Sequence, residues 1–287
     1  MKALIHRHLL CYLRDRWAVF FSFLSVMIIL VLFVLFLGNV QQSSVPQHLQ
    51  GTSEGDYLVY SWILSGLIVV ASVTVPLGFL HVFIKDRVER AMDDFYVSPL
   101  SRTTIVLSYM LAALFAGVML STLSFIATMV VLRVIAGTVL PLRIGLSVMG
   151  LLVLSNMLFT ALFFFVSTYL LTLNAHANLS TLVGTLIGFV GGLYVPVGAF
   201  SRTFQTVLNS FPPMQMASLM RTVYMREAID SVFPTEASAE EYRLFFGVDI
   251  RVGDTLLSAP ILTLILGGWT ILFTVLSIIR LRRFKRT

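Results

Sequence analysis

Three lysines are the first residues to test for chemistry, because the commonest route of ATP hydrolysis needs one. A P-loop places Gly immediately before the Lys that reaches the phosphates. Here Lys2, Lys85 and Lys285 follow Met, Ile and Phe. The chain therefore has no P-loop of its own, and any work that it does with ATP requires another polypeptide.

The histidines and the common catalytic motifs do not favour an enzyme either. His6 and His8 lie in a basic N-terminal tail, where a solvated flank is far commoner than a metal site. His176 stands between Asn174 and Asn178, in a predicted loop. H-E-x-x-H, G-x-S-x-G and paired intramembrane aspartates do not occur. The sequence predicts a protein that is not an enzyme and that binds no metal or cofactor itself.

The composition is that of a membrane protein. Of 287 residues, 57% are hydrophobic and 12% are charged, against about 45–50% and about 25% in soluble domains. Six apolar runs could cross a hydrocarbon core about 30 Å thick. We therefore expect an all-α polytopic membrane protein with six transmembrane helices: Trp17–Leu37, Leu58–Ile84, Thr103–Leu132, Ile144–Thr172, Leu179–Phe200 and Ser258–Leu281.

The acidic residues disfavour a carrier driven by protons or sodium. All fourteen fall outside the six predicted spans, whereas such carriers usually place ionisable groups within the membrane. Apart from tyrosines, His81 is the one titratable side chain well inside a predicted span, and it lies near the inner end. Unwound backbone carbonyls can also bind sodium. A channel is disfavoured because no filter motif or ring of charges is present.

The basic residues predict the orientation. Thirteen of the twenty Lys and Arg residues fall in the N-terminal tail, after the second span and at the C-terminus, and the loop 38–57 contains none. Because Lys and Arg are enriched on the cytoplasmic side, both termini are expected in the cytoplasm. The net charge of +6 is then explained by basic residues in the cytoplasmic segments, and no nucleic-acid partner is predicted.

One charged segment, KDRVERAMDDFYVSPLSR (85–102), separates the second and third spans. A helix over Asp86–Val97 would be amphipathic. Pro99 would end it, because the residue before a proline is disfavoured in the α region, and Ser101 would cap the third span. The predicted polar face comprises Asp86, Glu89, Arg90, Asp93 and Asp94, and the apolar face Val88, Ala91, Met92, Phe95 and Tyr96.

The polar face of this helix indicates a protein partner. A helix that lies on lipid carries mostly Lys and Arg, which are attracted to anionic headgroups. Here four of the five polar residues are acidic, and acids beside anionic lipid are unfavourable. The segment 86–97 is therefore expected to dock onto a cytosolic protein that carries basic groups.

Two further segments lie outside the predicted spans. Residues 1–16 are basic and partly apolar, and they favour an amphipathic helix along the inner membrane surface that leads into a transmembrane domain over 17–287. An ordinary charged flank is the alternative. Residues 201–257 mix apolar and polar side chains, break at Pro212–Pro213 and continue into an acid-rich tract.

Small and apolar residues suggest where a cargo or a second copy could contact the spans. Ser180, Gly184, Gly188 and Gly192 recur every four positions, which permits close helix approach either within one subunit or at a dimer seam or substrate path. Asn156 is expected to form an interhelical hydrogen bond. The second span offers an apolar wall that suits an amphiphilic cargo, formed by Leu64, Leu67, Ile68, Ala71 and Val75.

Two motifs resemble the permeases of type-2 ABC exporters. The charged segment is similar to their first cytoplasmic loop, R-E-R-G-T-L-E-x-L-L-V-T-P-L-S-R, with Asp93 at the position of the last Glu. The stretch GGLYVPVGAF…VLNSFPPMQMASLMRTVYM resembles their G-x-x-x-P and later N-P-L-x-x-x-x-x-x-x-R, with Pro196, Asn209, Pro212 and Arg221 at the matching positions. The end of the loop is matched by Phe95, Val97, Ser98, Pro99, Leu100 and Arg102.

The resemblance implies a complex of two permeases, here a homodimer, with two ATPase subunits that bind ATP and Mg²⁺. The segment 86–97 would be the coupling helix, and the second and fifth spans would line the substrate path. The region 201–224 would form an external re-entrant hairpin. Such a complex would export an amphiphilic or lipid-like drug, antibiotic, toxin or peptide across the bacterial cytoplasmic membrane by alternating access.

A different class of protein also fits the residues alone. A stand-alone six-span membrane protein could be a passive facilitator, or a sensor whose charged loop binds another cytosolic partner. An ATPase that copurifies with the chain would favour the exporter, and transport without ATP would favour the facilitator.

Overall fold

The computed structural model describes residues 1–41, 45, 47–233 and 235–283. These residues form helices, loops and one antiparallel ribbon, in which β1 (Arg251–Val252) pairs with β2 (Thr255–Leu256). The predicted all-α class is confirmed. Part of the loop 38–57, together with Lys285 and Arg286 of the predicted cytoplasmic C-terminus, lies outside the described residues.

The described helices fall into a long and a short group. The long helices are α2 (Arg16–Leu32), α4 (Ser53–Phe79), α7 (Arg102–Ala136), α8 (Leu142–Ser167), α9 (Leu173–Val190) and α14 (Ala259–Arg283). The short helices are α1 (Lys2–Arg14), α3 (Gly38–Gln41), α5 (His81–Val88), α6 (Ala91–Val97), α10 (Arg202–Asn209), α11 (Pro212–Tyr224), α12 (Arg226–Val232) and α13 (Glu236–Phe245). A π-helical turn, Phe33–Leu37, extends α2, and 3₁₀ turns lie at Gln47–Leu49 and Val197–Ala199.

Five segments of the described chain are long and apolar enough to cross a membrane: Val19–Phe36, Ser53–Val88, Arg102–Ala136, Leu142–Ser167 and Ala259–Arg282. They match five of the six predicted spans. α9 is not among them, because polar residues (Asn174, His176, Asn178) occupy its first turns. The count of six spans stays a prediction.

The predicted end of the fifth span, at Phe200, is wrong. α9 ends at Val190, where Gly191 caps it and Gly192 takes a left-handed conformation with φ of +62°. Glycine adopts this conformation without the steric cost that other residues pay. The remaining ten residues form a turn and a 3₁₀ segment, because apolar composition alone does not reveal where the helix stops.

α4 is the centre of the bundle. It is buried along nearly its whole length and packs against α2, α7, α8 and α11. α1, α5 and α6 lie at its C-terminal end and α11 and α12 at its N-terminal end, and we call these the α6 end and the hairpin end.

The apolar wall predicted on the second span does not face a path or a seam. Leu64, Leu67, Ile68 and Ala71 are fully buried within the single chain, and Val75 is 1% exposed. α4 is apolar on every side, so its periodicity could not distinguish a face that lines a cavity from one that packs against neighbouring helices. These residues form the core.

Asn156 links α7 and α8 in the middle of the bundle, as predicted. Its Nδ2 donates to the Ser121 Oγ at 2.9 Å and to the Leu152 carbonyl at 2.8 Å. Gly117 lies directly against the amide, where a Cβ would clash with it. A small residue on α7 therefore lets a polar side chain bridge two helices in an apolar core.

We expect Asn156→Ala to destabilise the protein by about 1 kcal/mol, because interhelical hydrogen bonds in membranes contribute about 0.6 to about 1.7 kcal/mol. Thermal unfolding of the detergent-solubilised protein measures this. Asn178→Ala, at an exposed position, is the matched control and should change stability little. Equal losses in the two variants would contradict a bridging role for Asn156.

Candidate functional site

The charged segment between α4 and α7 is two helices, whereas the sequence predicts one over Asp86–Val97. α5 ends at Val88 and α6 begins at Ala91. Between them Arg90 has a left-handed backbone conformation with φ of +63°, which a non-glycine residue adopts rarely. The Asp93 N–H donates to the Arg90 carbonyl at 2.9 Å and starts the new helix.

This break changes the exposure predicted for two residues. Asp86, assigned to the exposed polar face, is 5% exposed, and Val88, assigned to the apolar face, is 46% exposed. Asp86 is therefore not available for docking. The prediction fails because a helical periodicity assumes one continuous helix, and the conformation of Arg90 interrupts it.

Asp86 lies between α1 and α7 and is paired with both. Arg7 donates to the two carboxylate oxygens, with Nη2 at 2.8 Å from Oδ1, and forms an ion pair. The Tyr109 hydroxyl donates to Oδ2 at 2.5 Å. A buried charge is stable only when it is paired and hydrogen-bonded, and these donors fulfil both conditions. The carboxylate thereby fastens α5 to α1 and α7.

His8 completes this contact as a neutral ring. It is fully buried and stacks on Tyr109 with ring centroids 3.7 Å apart. Because Arg7 can only donate, its 3.1 Å contact identifies Nδ1 as the acceptor, so Nε2 donates to the Ser108 Oγ at 3.2 Å. Burial, and then the charge of Arg7, lower the pKa of His8 to about 4.

α6 packs its apolar side onto this cluster. Met92 is buried and Phe95 is half-buried. The Arg7 guanidinium lies 5.2 Å from the centroid of the Phe95 ring, a cation–π contact. Arg102 lies over Tyr96 in the same way, at 5.5 Å. One arginine of α1 thus contacts both Asp86 and α6.

The opposite side of the α5–α6 turn is exposed. Val97 is 75% exposed, and Pro99 beyond it is exposed as well, whereas Asp93 is half-buried. The surface combines two carboxylates, one guanidinium and one apolar side chain, a mixture that fits a protein groove better than anionic lipid. We call this surface the docking face and define it as Glu89, Arg90, Asp94 and Val97.

Three residues of the α6 end are missing from the sequence prediction. Arg7 and His8 read as part of a basic tail, and Tyr109 as an ordinary residue of the third span. The contacts that give these residues their role are distant in sequence, since 79 residues separate Arg7 from Asp86. The pair Ser108–Tyr109, polar within an apolar run, is the one local hint.

At the hairpin end, α10 and α11 are joined by a turn at Ser210–Phe211. Pro212 lies in the first turn of α11, where its missing N–H costs nothing. Asn209 donates from Nδ2 to the Arg251 carbonyl at 2.8 Å and connects α10 to the ribbon. Pro196 is buried and precedes the 3₁₀ turn.

Arg221 is fully buried in α11 and connects four parts of the chain. Its Nη2 donates to the carbonyls of Gly191 (3.1 Å) and Gly192 (2.8 Å), and its Nη1 to that of Gly247 (3.4 Å). The guanidinium also lies 5.2 Å from the Trp62 ring centroid. Because the first two carbonyls lie at the C-terminal end of α9, the helix dipole favours the cation there.

The small-residue stripe of α9 is not one uniform seam. A Cβ at Gly188 would clash with the Tyr194 ring, and Gly192 lies against Met214 and Arg221. Gly184, in contrast, has open space around it. Packing within the subunit accounts for the stripe near the hairpin end, whereas Gly184 borders a cavity.

That cavity is a groove of about 720 Å³ between α2, α4, α5 and α9. Its side walls are mostly apolar, and the polar residues Asp15, His81 and His176 line it toward the α6 end. The groove is large enough for a small organic molecule. The apolar part of the lining comes chiefly from Phe21, Val26, Ile29 and Leu77.

These features define an integral membrane protein of long helices, with a charged docking face at one end and a helical hairpin at the other. The comparison with protein families gives the class: residues 1–225 match the model of the ABC-2 type transporter family. The chain belongs to that family and is a membrane permease subunit, which confirms the resemblance to type-2 ABC permeases. The comparison with curated proteins finds no match. Among the described residues, no group of His, Cys, Asp and Glu is placed to hold a metal ion.

Asp86→Asn removes the charge that pairs with Arg7 and keeps the size of the side chain. Breaking a buried ion pair costs about 3–5 kcal/mol. We expect a smaller loss, about 2 kcal/mol, because the Arg7 side chain is 36% exposed. Amide hydrogen exchange should accelerate in α1. Asp94→Asn, an exposed carboxylate of the docking face, is the control. Similar exchange in both variants would show that Asp86 does not hold α1.

His8 makes the attachment of α1 dependent on pH. Its pKa of about 4 lies below the usual value of about 6.5. Its contribution to stability is therefore fully present above about pH 6.5 and is lost as the pH falls to about 4. Hydrogen exchange of α1, corrected for intrinsic rates, should rise over that interval. His8→Phe keeps the ring but cannot be protonated, so it should remove the rise, whereas His6→Phe, at an exposed position, should retain it. A rise that persists in His8→Phe would contradict this assignment.

Proposed function

We propose that this permease subunit belongs to an ATP-driven exporter and works with a separate ATPase subunit. Two copies of each subunit would form the complex, and ATP and Mg²⁺ would be bound by the ATPase. The observation that carries the proposal is the docking face, which is exposed on one side of the α5–α6 turn. On the other side, Arg7 contacts both Asp86 of α5 and Phe95 of α6 and so holds the two helices in place.

The position of the basic residues supports a cytoplasmic location for this face. Arg90 belongs to it, Lys85 and Arg87 lie close to it in sequence, and α1 with its own basic residues packs against α5. Arg102 donates to the carbonyls of Leu281 and Arg282, so the end of α14 is near the same place. Basic residues concentrate on the cytoplasmic side, which favours both termini in the cytoplasm of a bacterial cell.

The groove between α2, α4, α5 and α9 is the cargo site that we propose. Its apolar walls would hold the tail of an amphiphilic or lipid-like compound, and its polar lining (Asp15, His81, His176) the head. A second permease copy would cover α9 and the π-helical turn that extends α2, and would complete a homodimer. The exposed apolar side chains there include Leu186 and Phe189 of α9 and Leu35 and Phe36 of the turn.

Transport would follow alternating access. Closure of the ATPase on ATP would move α6 and, with it, α5. Arg7 contacts both helices and would transmit this movement to α1, and Asp86 of α5 would transmit it to α7 through Tyr109. The hairpin of α10 and α11 would cap the exit at the outer side, so cargo would leave only when the hairpin end opens.

Charge reversal on the docking face tests the proposal. We expect Asp94→Arg to weaken ATPase binding by about tenfold or more, because like charges across an interface cost several kcal/mol. Val97→Asp should act in the same direction by placing a charge at an apolar contact. The measurement is the amount of ATPase that copurifies with the permease from the native host, together with ATPase activity stimulated by cargo.

Glu241→Arg is the matched control. Glu241 is an exposed acid at the hairpin end, so its reversal should leave ATPase binding unchanged. If Asp94→Arg and Val97→Asp retained normal copurification and stimulation, docking through α6 would be refuted. Cargo movement by the isolated permease without ATP would favour the passive facilitator instead.

A further inference from the structure

α9 is much more loosely packed than α4, the central helix that forms another wall of the groove. Of its eighteen residues, His176, Ile187 and Gly188 are buried, whereas α4 is buried almost throughout. The groove of about 720 Å³ lies on one side of it. On another side, an apolar cavity of about 570 Å³ separates it from α8 and α14, with Trp269 and Phe273 in its wall. The helix therefore has room to shift without breaking a close-packed core.

The turn that leads from α8 into α9 is held by an arginine of α5. Arg87 donates from Nη1 to the carbonyls of Thr168 (3.0 Å) and Leu170 (3.2 Å), in the turn that leads from α8 into α9. α5 also contacts the first turn of α9 directly, where the His81 and His176 rings lie 6.1 Å apart. A movement of α5 and α6 therefore reaches the start of α9 through this turn.

The other end of α9 is held by Arg221 of the hairpin. As described above, its guanidinium donates to the carbonyls of Gly191 and Gly192, directly after the helix ends at Val190. Arg221 is fully buried, so water cannot replace these bonds in the structure. A shift of α9 therefore acts on α11.

The two contacts use the same chemistry. In each, a guanidinium bonds to two carbonyl oxygens at or just after the C-terminal end of a helix, α8 for Arg87 and α9 for Arg221. The backbone there lacks internal partners, and the helix dipole favours a cation. Such charge-assisted hydrogen bonds are stronger than neutral ones, and the planar guanidinium fixes their direction. Both are thus suited to transmit a displacement rather than absorb it.

We infer that Arg87 and Arg221 are positioning residues that couple α6 to the hairpin of α10 and α11 through α9. Movement of α5 and α6 passes through Arg87 to the start of α9, and through Arg221 from its end to α11. The inference rests on the proposed function, because it takes ATPase closure as the source of the movement.

The test uses the full complex of permease and ATPase in lipid vesicles. Cys11 is replaced by Ser, so that a single introduced cysteine carries an environment-sensitive bimane label. Leu182→Cys reports on α9 and Val207→Cys on α10, both at exposed positions. With the arginines intact, a nonhydrolysable ATP analogue is expected to change the emission of both labels.

The two arginine variants should have different effects. Arg87→Gln should reduce the response of both labels several-fold, because the charge-assisted contact that carries the movement toward α9 is lost. Arg221→Gln should preserve the response at Leu182→Cys and reduce that at Val207→Cys by a similar factor, because only the second connection is broken.

Arg133→Gln is the matched control. Its guanidinium also bonds to a carbonyl at the end of a helix, that of Gly137 after α7, but Arg133 is exposed and lies on neither proposed connection, so both responses should persist. If Arg221→Gln does not assemble, Arg221→Lys is measured instead. It keeps the buried charge but cannot donate to all three carbonyls, so it should weaken the response at Val207→Cys.

The outcomes separate the inference from the proposed function. Normal responses in Arg87→Gln and Arg221→Gln, or loss of both responses in Arg221→Gln, would overturn the ordered connection through α9. If the two arginines have a purely structural role, their variants should be less stable to heat, but both labels should still respond to the ATP analogue. If neither label responds when the arginines are intact, coupling to an ATPase is itself refuted, and the inference falls with it.

Discussion

The buried carboxylate of Asp86 is the constraint on which the α6 end depends. A charge that is removed from water must be matched by donors, and here the donors come from two other helices: Arg7 of α1 and Tyr109 of α7. Because Arg7 also lies over Phe95, the same guanidinium fixes α6. His8 stays neutral and stacks on Tyr109, which fills the remaining space. A solvent-exposed face of α6 is thereby presented on a rigid support, as a surface must be if it is to receive force from a partner.

Arginines that bond to backbone carbonyls are the second unifying feature. Arg87 bonds to the turn after α8, Arg102 to the end of α14 and Arg221 to the end of α9. Each helix leaves its last carbonyls without backbone partners, and water is scarce in a membrane protein's interior. A long cationic side chain from a neighbouring element satisfies these carbonyls and at the same time joins two elements. This explains how Arg221, which is fully buried, is accommodated by carbonyl oxygens.

Two of the sequence predictions that the structure confirms concern a helix cap and a polar side chain within an apolar span. Ser101 caps α7 as expected, its Oγ accepting from the Thr104 N–H at 3.1 Å, because a cap involves residues three apart. Asn156 bridges two helices because a polar amide in an apolar span needs a partner. The predictions failed where a single residue with a left-handed backbone conformation interrupts a helix. Arg90 divides the helix predicted over 86–97, and Gly192 follows the end of α9 before the apolar run is complete. The apolar wall of α4 failed for another reason, since a helix that is apolar all round has no face that sequence can distinguish.

The sequence by itself determined that this is a helical membrane protein without a P-loop, that its acidic residues lie outside the six predicted apolar spans, and that a charged segment separates the second and third of these spans. These properties follow from composition and from the cost of burying charge in lipid. Only the tertiary structure decided which charges are displayed and which are buried. Asp86 and Asp94 are the same residue type on the same segment, yet one is the anchor and the other belongs to the docking face. The difference arises because Arg7, 79 residues away in sequence, lies beside one carboxylate and leaves the other to solvent.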